Sequence, residues 1–144
     1  MLSEERLKHS LGVARQCYSL SKELNLAKDD KEAKLYWLMG FLHDIGYEFS
    51  DGSKHAEEGY EILKSINTIE LNNIKWSIRH HGKADIDSDN DYLNLLNLAD
   101  MTVDSKGNIC TLDERLKDIK ERHEENSEAY KTAQKVKENL KWQK

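Results

Sequence analysis

Proline is absent from this chain of 144 residues, and cysteine and glycine are scarce, at two and seven. The missing proline removes the strongest helix breaker from the whole length. Cys17 and Cys110 lack metal-like spacing and fall inside helical patterns, so they read as reduced packing residues rather than a disulfide or zinc framework. No glycine-rich phosphate cradle and no serine or cysteine nucleophile motif is present, which leaves P-loop and covalent chemistry without support. The longest apolar run, Leu35 to Leu42, is far too short to span a bilayer, and no membrane partner is expected. The N-terminus is charged from Glu4 and lacks a signal-peptide apolar stretch, so a cytoplasmic location is expected. A net positive charge is also lacking. The net charge of -5 argues against a nucleic acid polymer, whose affinity comes from many phosphates neutralised by Lys and Arg, although one nucleotide could be steered by a local cation.

What remains is a chain whose apolar residues recur at three- and four-residue spacing from end to end, with no period-2 run. Ser3 before Glu4 and Glu5 predicts an N-cap, with a first helix reaching about Leu24. Asp29 and Asp30 open a second helix, with Gly46 as its stop. A third covers His55 to about Ser65, a fourth runs from near Thr68 to Gly82, and a fifth covers Tyr92 to Val103. Thr111 to Glu114 has the capping-box form, and the C-terminal helical region it opens, over 111–143, is interrupted near Asn126 and Ser127. The expectation is an all-α fold: a single compact helical bundle over 1–144, of about six or seven helices.

Chemistry is expected where polar residues fall on faces meant for the core. His9 lies in phase with Val13 and Cys17, His43 and Asp44 follow Phe41 and Leu42, and Asp100 continues the stripe of Leu93 and Leu96. A buried carboxylate is penalised by several kcal/mol unless it is hydrogen-bonded, paired or on a metal. Any one of the four taken alone is explained by a satisfied core histidine or a capped carboxylate. As a set they form the mixed imidazole and carboxylate donors that suit Mn, Fe, Co, Ni or Zn, with Mg as a further candidate.

The order His9, then His43-Asp44 in Phe-Leu-His-Asp-Ile-Gly, then Asp100 in Leu-Asn-Leu-Ala-Asp resembles the H...HD...D signature of the HD-domain metal-dependent phosphohydrolases, over about residues 5 to 105. The resemblance implies an all-helical domain in which His9, His43, Asp44 and Asp100 bind one divalent metal and Asp44 bridges to a second. Lys54-His55-Ala-Glu-Glu-Gly59 and Ile78-Arg-His80-His81-Gly82 resemble elements of the two-metal branch, which adds His55 and one of the paired histidines as ligands. Stripe position favours His81, after Leu71, Ile74 and Ile78, with His80 as the alternative ligand, a substrate contact or a solvated neighbour.

The activity implied is hydrolysis of a phosphoester of a nucleotide or similar small molecule by metal-activated water. Asp44 is the bridging residue in that scheme. Lys54, Arg79 and Lys83 flank the ligand segments as candidate phosphate contacts, each equally explained as a surface charge. Asp104, one helical turn beyond Asp100, is a candidate base or orienting group, or else a helix cap. Two other readings remain open: a di-iron oxygenase, known on the resembling fold, and a non-catalytic metal- or nucleotide-binding module. His123 is expected at an edge or on the surface, Trp37, Trp76 and Trp142 in packing, and a homodimer is compatible with everything above.

Overall fold

The computed structural model describes residues 3–45, 69–83, 89–123 and 127–142, with burial undescribed for Ile69 and Glu70. Its elements are α1 (Glu4–Glu23), α2 (Asp30–Leu42), α3 (Ile69–His80), α4 (Asp91–Asp100), α5 (Leu112–Arg122) and α6 (Glu128–Glu138). No strand occurs among the described residues; a single bridge joins Val103 to Ile109. The expected all-α class is what is found. The expected helix over His55 to Ser65 and the stop at Gly46 lie outside the described residues.

Local chemistry accounts for the helix starts. Ser3, Asp29, Asn90, Thr111 and Ser127 each accept from a backbone N–H in the first turn with a side-chain oxygen. Thr111 and Glu114 form the reciprocal capping box read from the sequence. The helix expected over Tyr92 to Val103 ends earlier, at Asp100. Thr102 Oγ1 donates to the Leu98 carbonyl at 2.8 Å, and Val103 leaves the helix to bridge Ile109. A hydroxyl that bonds back to the helix C-terminus while a β-branched neighbour pairs elsewhere favours the turn over another helical turn.

The core is built around α1, with α2 and α4 packed on it: Val13, Cys17, Leu20, Tyr36, Met39, Leu95, Leu96, Leu98 and Ala99 are all nearly inaccessible. Ile74 and Ile78 close it from α3, and Ala133, Val136 and Leu140 from the C-terminal end. Helices α1 and α2 approach closely because Gly40 has no side chain; a Cβ there would lie 2.8 Å from Ala14 Cα and from the Val13 carbonyl oxygen. This contact brings the end of α2, and with it His43, to the level of His9. Trp37 stacks on Phe41 with ring centroids 5.2 Å apart, and Trp142 packs against the core, both as packing residues.

Candidate metal centre

Five of the residues singled out in the sequence meet at one end of this core. His9 comes from the second turn of α1, His43 and Asp44 from the turn that ends α2, His81 from the residue after α3, and Asp100 from the last position of α4. His9, His43, Asp44 and His81 are buried, and Asp100 is partly so. Two overlapping sets, His9 with His43 and Asp44, and His43 with His81 and Asp100, have potential ligand atoms within 4.8 Å of one another.

Each of the three histidines uses Nδ1 in the same way. His9 Nδ1 donates to the Asp104 carbonyl at 2.8 Å, His43 Nδ1 to the Gly40 carbonyl at 2.6 Å, and His81 Nδ1 to the Ile78 carbonyl at 2.5 Å. A carbonyl only accepts, so the proton is on Nδ1 and the Nε2 lone pair is the face left for the centre. The Nε2 atoms then meet carboxylate oxygens. His9 Nε2 is 2.8 Å from Asp100 Oδ1, His43 Nε2 is 3.2 Å from Asp44 Oδ2 and 3.4 Å from Asp100 Oδ1, and His81 Nε2 is 3.4 Å from Asp44 Oδ1.

Lone pairs facing carboxylates repel unless a cation lies between them or each ring carries a second proton. The His43 pair shows the tension. Its Nε2 is fully buried and makes no hydrogen bond, although two carboxylate oxygens are near. Burial opposes charge on His43, but Asp44 and Asp100 outweigh it and hold its pKa well above the ordinary histidine value. Burial likewise opposes charge on Asp100, yet His43 and His9 hold that carboxyl well below the usual range. Both directions say that the cluster attracts positive charge. An imidazole and carboxylate donor set with an orphaned buried Nε2 fits a divalent transition metal.

The paired histidines separate clearly. His81 joins the cluster, whereas His80 turns to Trp76 with ring centroids 4.7 Å apart and belongs to neither set. Arg79 is exposed, and neither it nor Lys83 is among the described residues lining the cavity over the cluster. Lys54 and His55 lie outside the described residues. Asp104 departs from its expected place. With α4 ended at Asp100, its carboxylate accepts from the Lys106 and Asn108 amides at 2.9 Å and shapes a turn, so the part that reaches the centre is its main-chain carbonyl on His9.

The cavity over the cluster has a volume of about 270 Å³. Its floor is His9, Asp44, His81 and Asp100, and its walls include Arg6, Arg115 and Arg122, with His123 at the C-cap of α5. Nothing in the sequence pattern marks Arg6 or Arg122 for this place, and His123 is exposed, as expected of an edge or surface position. Arg115 carried a legible signal: it lies between Leu112, Leu116 and Ile119 at spacings of three, one and four, a cation inside the apolar stripe of α5.

Comparison with known proteins agrees with this geometry. The HD domain family profile matches residues 6–104, more than half of the chain and all five clustered residues. The chain therefore belongs to the HD domain family, whose members are mostly metal-dependent hydrolases. An uncharacterized protein of Methanocaldococcus jannaschii is 32% identical over 66 residues, 46% of this chain and 39% of that protein, so the match spans about two-fifths of the relative's length. No solved structure matches the chain. No described helix is long and apolar enough to cross a membrane.

Proposed function

We propose that this protein is a metal-dependent phosphohydrolase that cleaves a phosphoester of a nucleotide or similarly small molecule. The observation that carries the reading is the convergence of three histidine Nε2 atoms, each with its Nδ1 proton committed to a carbonyl, on the carboxylates of Asp44 and Asp100. His9, His43, Asp44 and Asp100 would hold one divalent ion. The two oxygens of Asp44 face different histidines, His43 and His81, which is the disposition of a bridging carboxylate; His81, Asp44 and His55 would hold a second. Ions held by these residues would supply a water acidic enough to attack near neutral pH and would offset charge on the phosphoryl oxygens.

The chain's own residues do the rest. The carbonyls of Gly40, Ile78 and Asp104 keep the imidazoles in one tautomer and one orientation, so no ligand has to reorganise during turnover. The buried floor keeps bulk water to the mouth of the cavity, so attraction between charges is stronger at the drier floor. Arg6, Arg115 and Arg122 line the walls and favour an anionic substrate. A small free substrate, rather than a polymer, is consistent with the net charge of -5.

The test is metal analysis of protein purified without chelator, joined to turnover on a panel of nucleotides and dinucleotides. His43→Ala and Asp44→Ala should each abolish metal binding and turnover while far-ultraviolet circular dichroism stays helical. Wild-type turnover surviving either change overturns the reading. Metal without turnover on any phosphoester supports a binding module instead, and a redox-active mixed-valent iron pair supports an oxygenase.

A further inference from the structure

The segment from Asp100 to Ser105 does two things for the centre. It carries the Asp100 carboxylate, and it presents the Asp104 carbonyl that fixes His9. Beyond Asp100 it is not helical, so nothing in α4 alone determines where Asp104 sits relative to Asp100. The Thr102 bond to Leu98 and the Val103–Ile109 bridge hold part of it, and α5, outside the matched HD region, holds both of its ends.

Arg115 Nε donates to the Asp100 main-chain carbonyl at 3.0 Å, its Nη2 lies 3.6 Å from Asp100 Oδ1, and its Nη1 donates to Asp118 Oδ2 at 3.0 Å. Asp118, one turn on in α5, takes the far end of the same segment: Ser105 donates to it through its amide at 3.0 Å and through Oγ at 3.2 Å. Arg115 is 12% exposed at its side chain and Asp118 23%, so these are sheltered charge-assisted bonds rather than surface pairs. The planar fork of arginine spans two acceptors at once, which lysine cannot do.

We propose that Arg115 and Asp118 form a brace that positions Asp100 and His9 for the metal, making α5 part of the site although it lies outside the family's matched region. The inference rests on the proposed metal centre. Neither residue is a ligand. Arg115 grips one end of the segment, Asp118 the other, and the bond between them keeps the two ends at a fixed separation. Loosening either end lets the Asp100 carboxylate and the Asp104 carbonyl drift, and His9 loses both of its ring partners.

The experiment measures Co²⁺ affinity by the visible absorption of the bound ion, with amide hydrogen exchange of the metal-free protein beside it. Arg115→Met and Asp118→Ala should each weaken Co²⁺ binding about 10- to 100-fold, the range found when partners of metal ligands are removed. Arg115→Lys should recover only part of it. Without metal, Asp118→Ala should lose exchange protection at the Ser105 amide, while Leu95 to Ala99 in the core of α4 stay protected. Affinity within twofold of wild type in Arg115→Met overturns the brace and leaves the metal reading standing. Wild-type protein that binds no Co²⁺, indistinguishable from His43→Ala, overturns both. Should Arg115→Met fail to fold, Asp118→Asn, which keeps the side-chain volume, provides the same comparison.

Discussion

His9 Nε2 lies 2.8 Å from Asp100 Oδ1 across a sequence separation of 91 positions, with the Nδ1 proton of the same ring given to the Asp104 carbonyl. Both nitrogens of one imidazole are thus answered by one short segment. In a purely structural site, a neutral donor in place of the carboxylate would satisfy Nε2 better.

That comparison yields a prediction for Asp100→Asn. The amide has the shape of the carboxylate and can donate to the Nε2 lone pair, so neither partner needs a charge. Metal affinity should fall at least 10-fold, in line with loss of a ligand. The metal-free protein should be as stable as wild type or more so, because functional sites are where local stability is given up. Thermal unfolding in chelator and metal titration check the two halves; a variant that keeps wild-type metal affinity refutes the assignment of Asp100.

Arg122 supports a different kind of prediction. Its guanidinium pairs with Glu5, both side chains are close to half exposed, and it lines the cavity wall. Exposed pairs contribute about 0–1 kcal/mol, so Arg122→Ala should change unfolding free energy by no more than about that. For an anionic substrate it should raise KM several-fold with kcat little altered, and the effect should shrink as salt is added. A fall in kcat with KM unchanged would mean that Arg122 acts on the transition state instead.

How much of this was legible in the sequence differs from residue to residue. His9, His81 and Asp100 are legible because each is a polar residue in phase with an apolar stripe, and His43 and Asp44 because they follow Phe41 and Leu42 in a pattern that resembles the H...HD...D signature. Asp104 falls one turn beyond Asp100 only if the helix continues. The Thr102 hydroxyl and the Val103 bridge end it first, and both depend on tertiary contacts that periodicity does not contain. Arg115 stands among Leu112, Leu116 and Ile119, and a cation inside an apolar stripe is a sign that its guanidinium has a sheltered partner.

The two thiols should respond differently to pH. Burial pushes Cys110 up to about 11, with Arg115 opposing and Asp104 adding to the rise, and burial together with the Asp100 charge raises fully buried Cys17 further. The thiolate is the reactive form, so alkylation of Cys110 by iodoacetamide should keep accelerating past the ordinary thiol pKa and level off only near pH 11. The sign for stability follows. A raised pKa contributes stability that is complete below the ordinary value and fades as pH climbs through 9 to about 11. Cys17 should stay unmodified in the folded protein at pH 8, and rapid labelling there would show that the α1 core opens.

Gly107 is the tightest point between the turn that carries Asp104 and the helix that carries His9. It has φ +87°, and a Cβ there would lie 2.3 Å from the Lys8 carbonyl oxygen. That atom is helix backbone in the second turn of α1 and cannot swing aside, and the left-handed conformation adds its own cost to any side chain. Gly107→Ala should therefore destabilise the protein by about 3 kcal/mol, combining backbone strain with overpacking. The relief available is for the turn to lift away from α1, which draws the Asp104 carbonyl off His9 Nδ1 and frees the ring to rotate. Metal affinity should then fall along with stability. Alanine at Gly12, which faces the same turn and whose Cβ would meet the Gly107 carbonyl oxygen at 2.5 Å, should produce the same pair of losses. Urea unfolding and Co²⁺ titration of the two variants provide the check, and a Gly107→Ala protein with wild-type values in both would show that the turn does not hold His9.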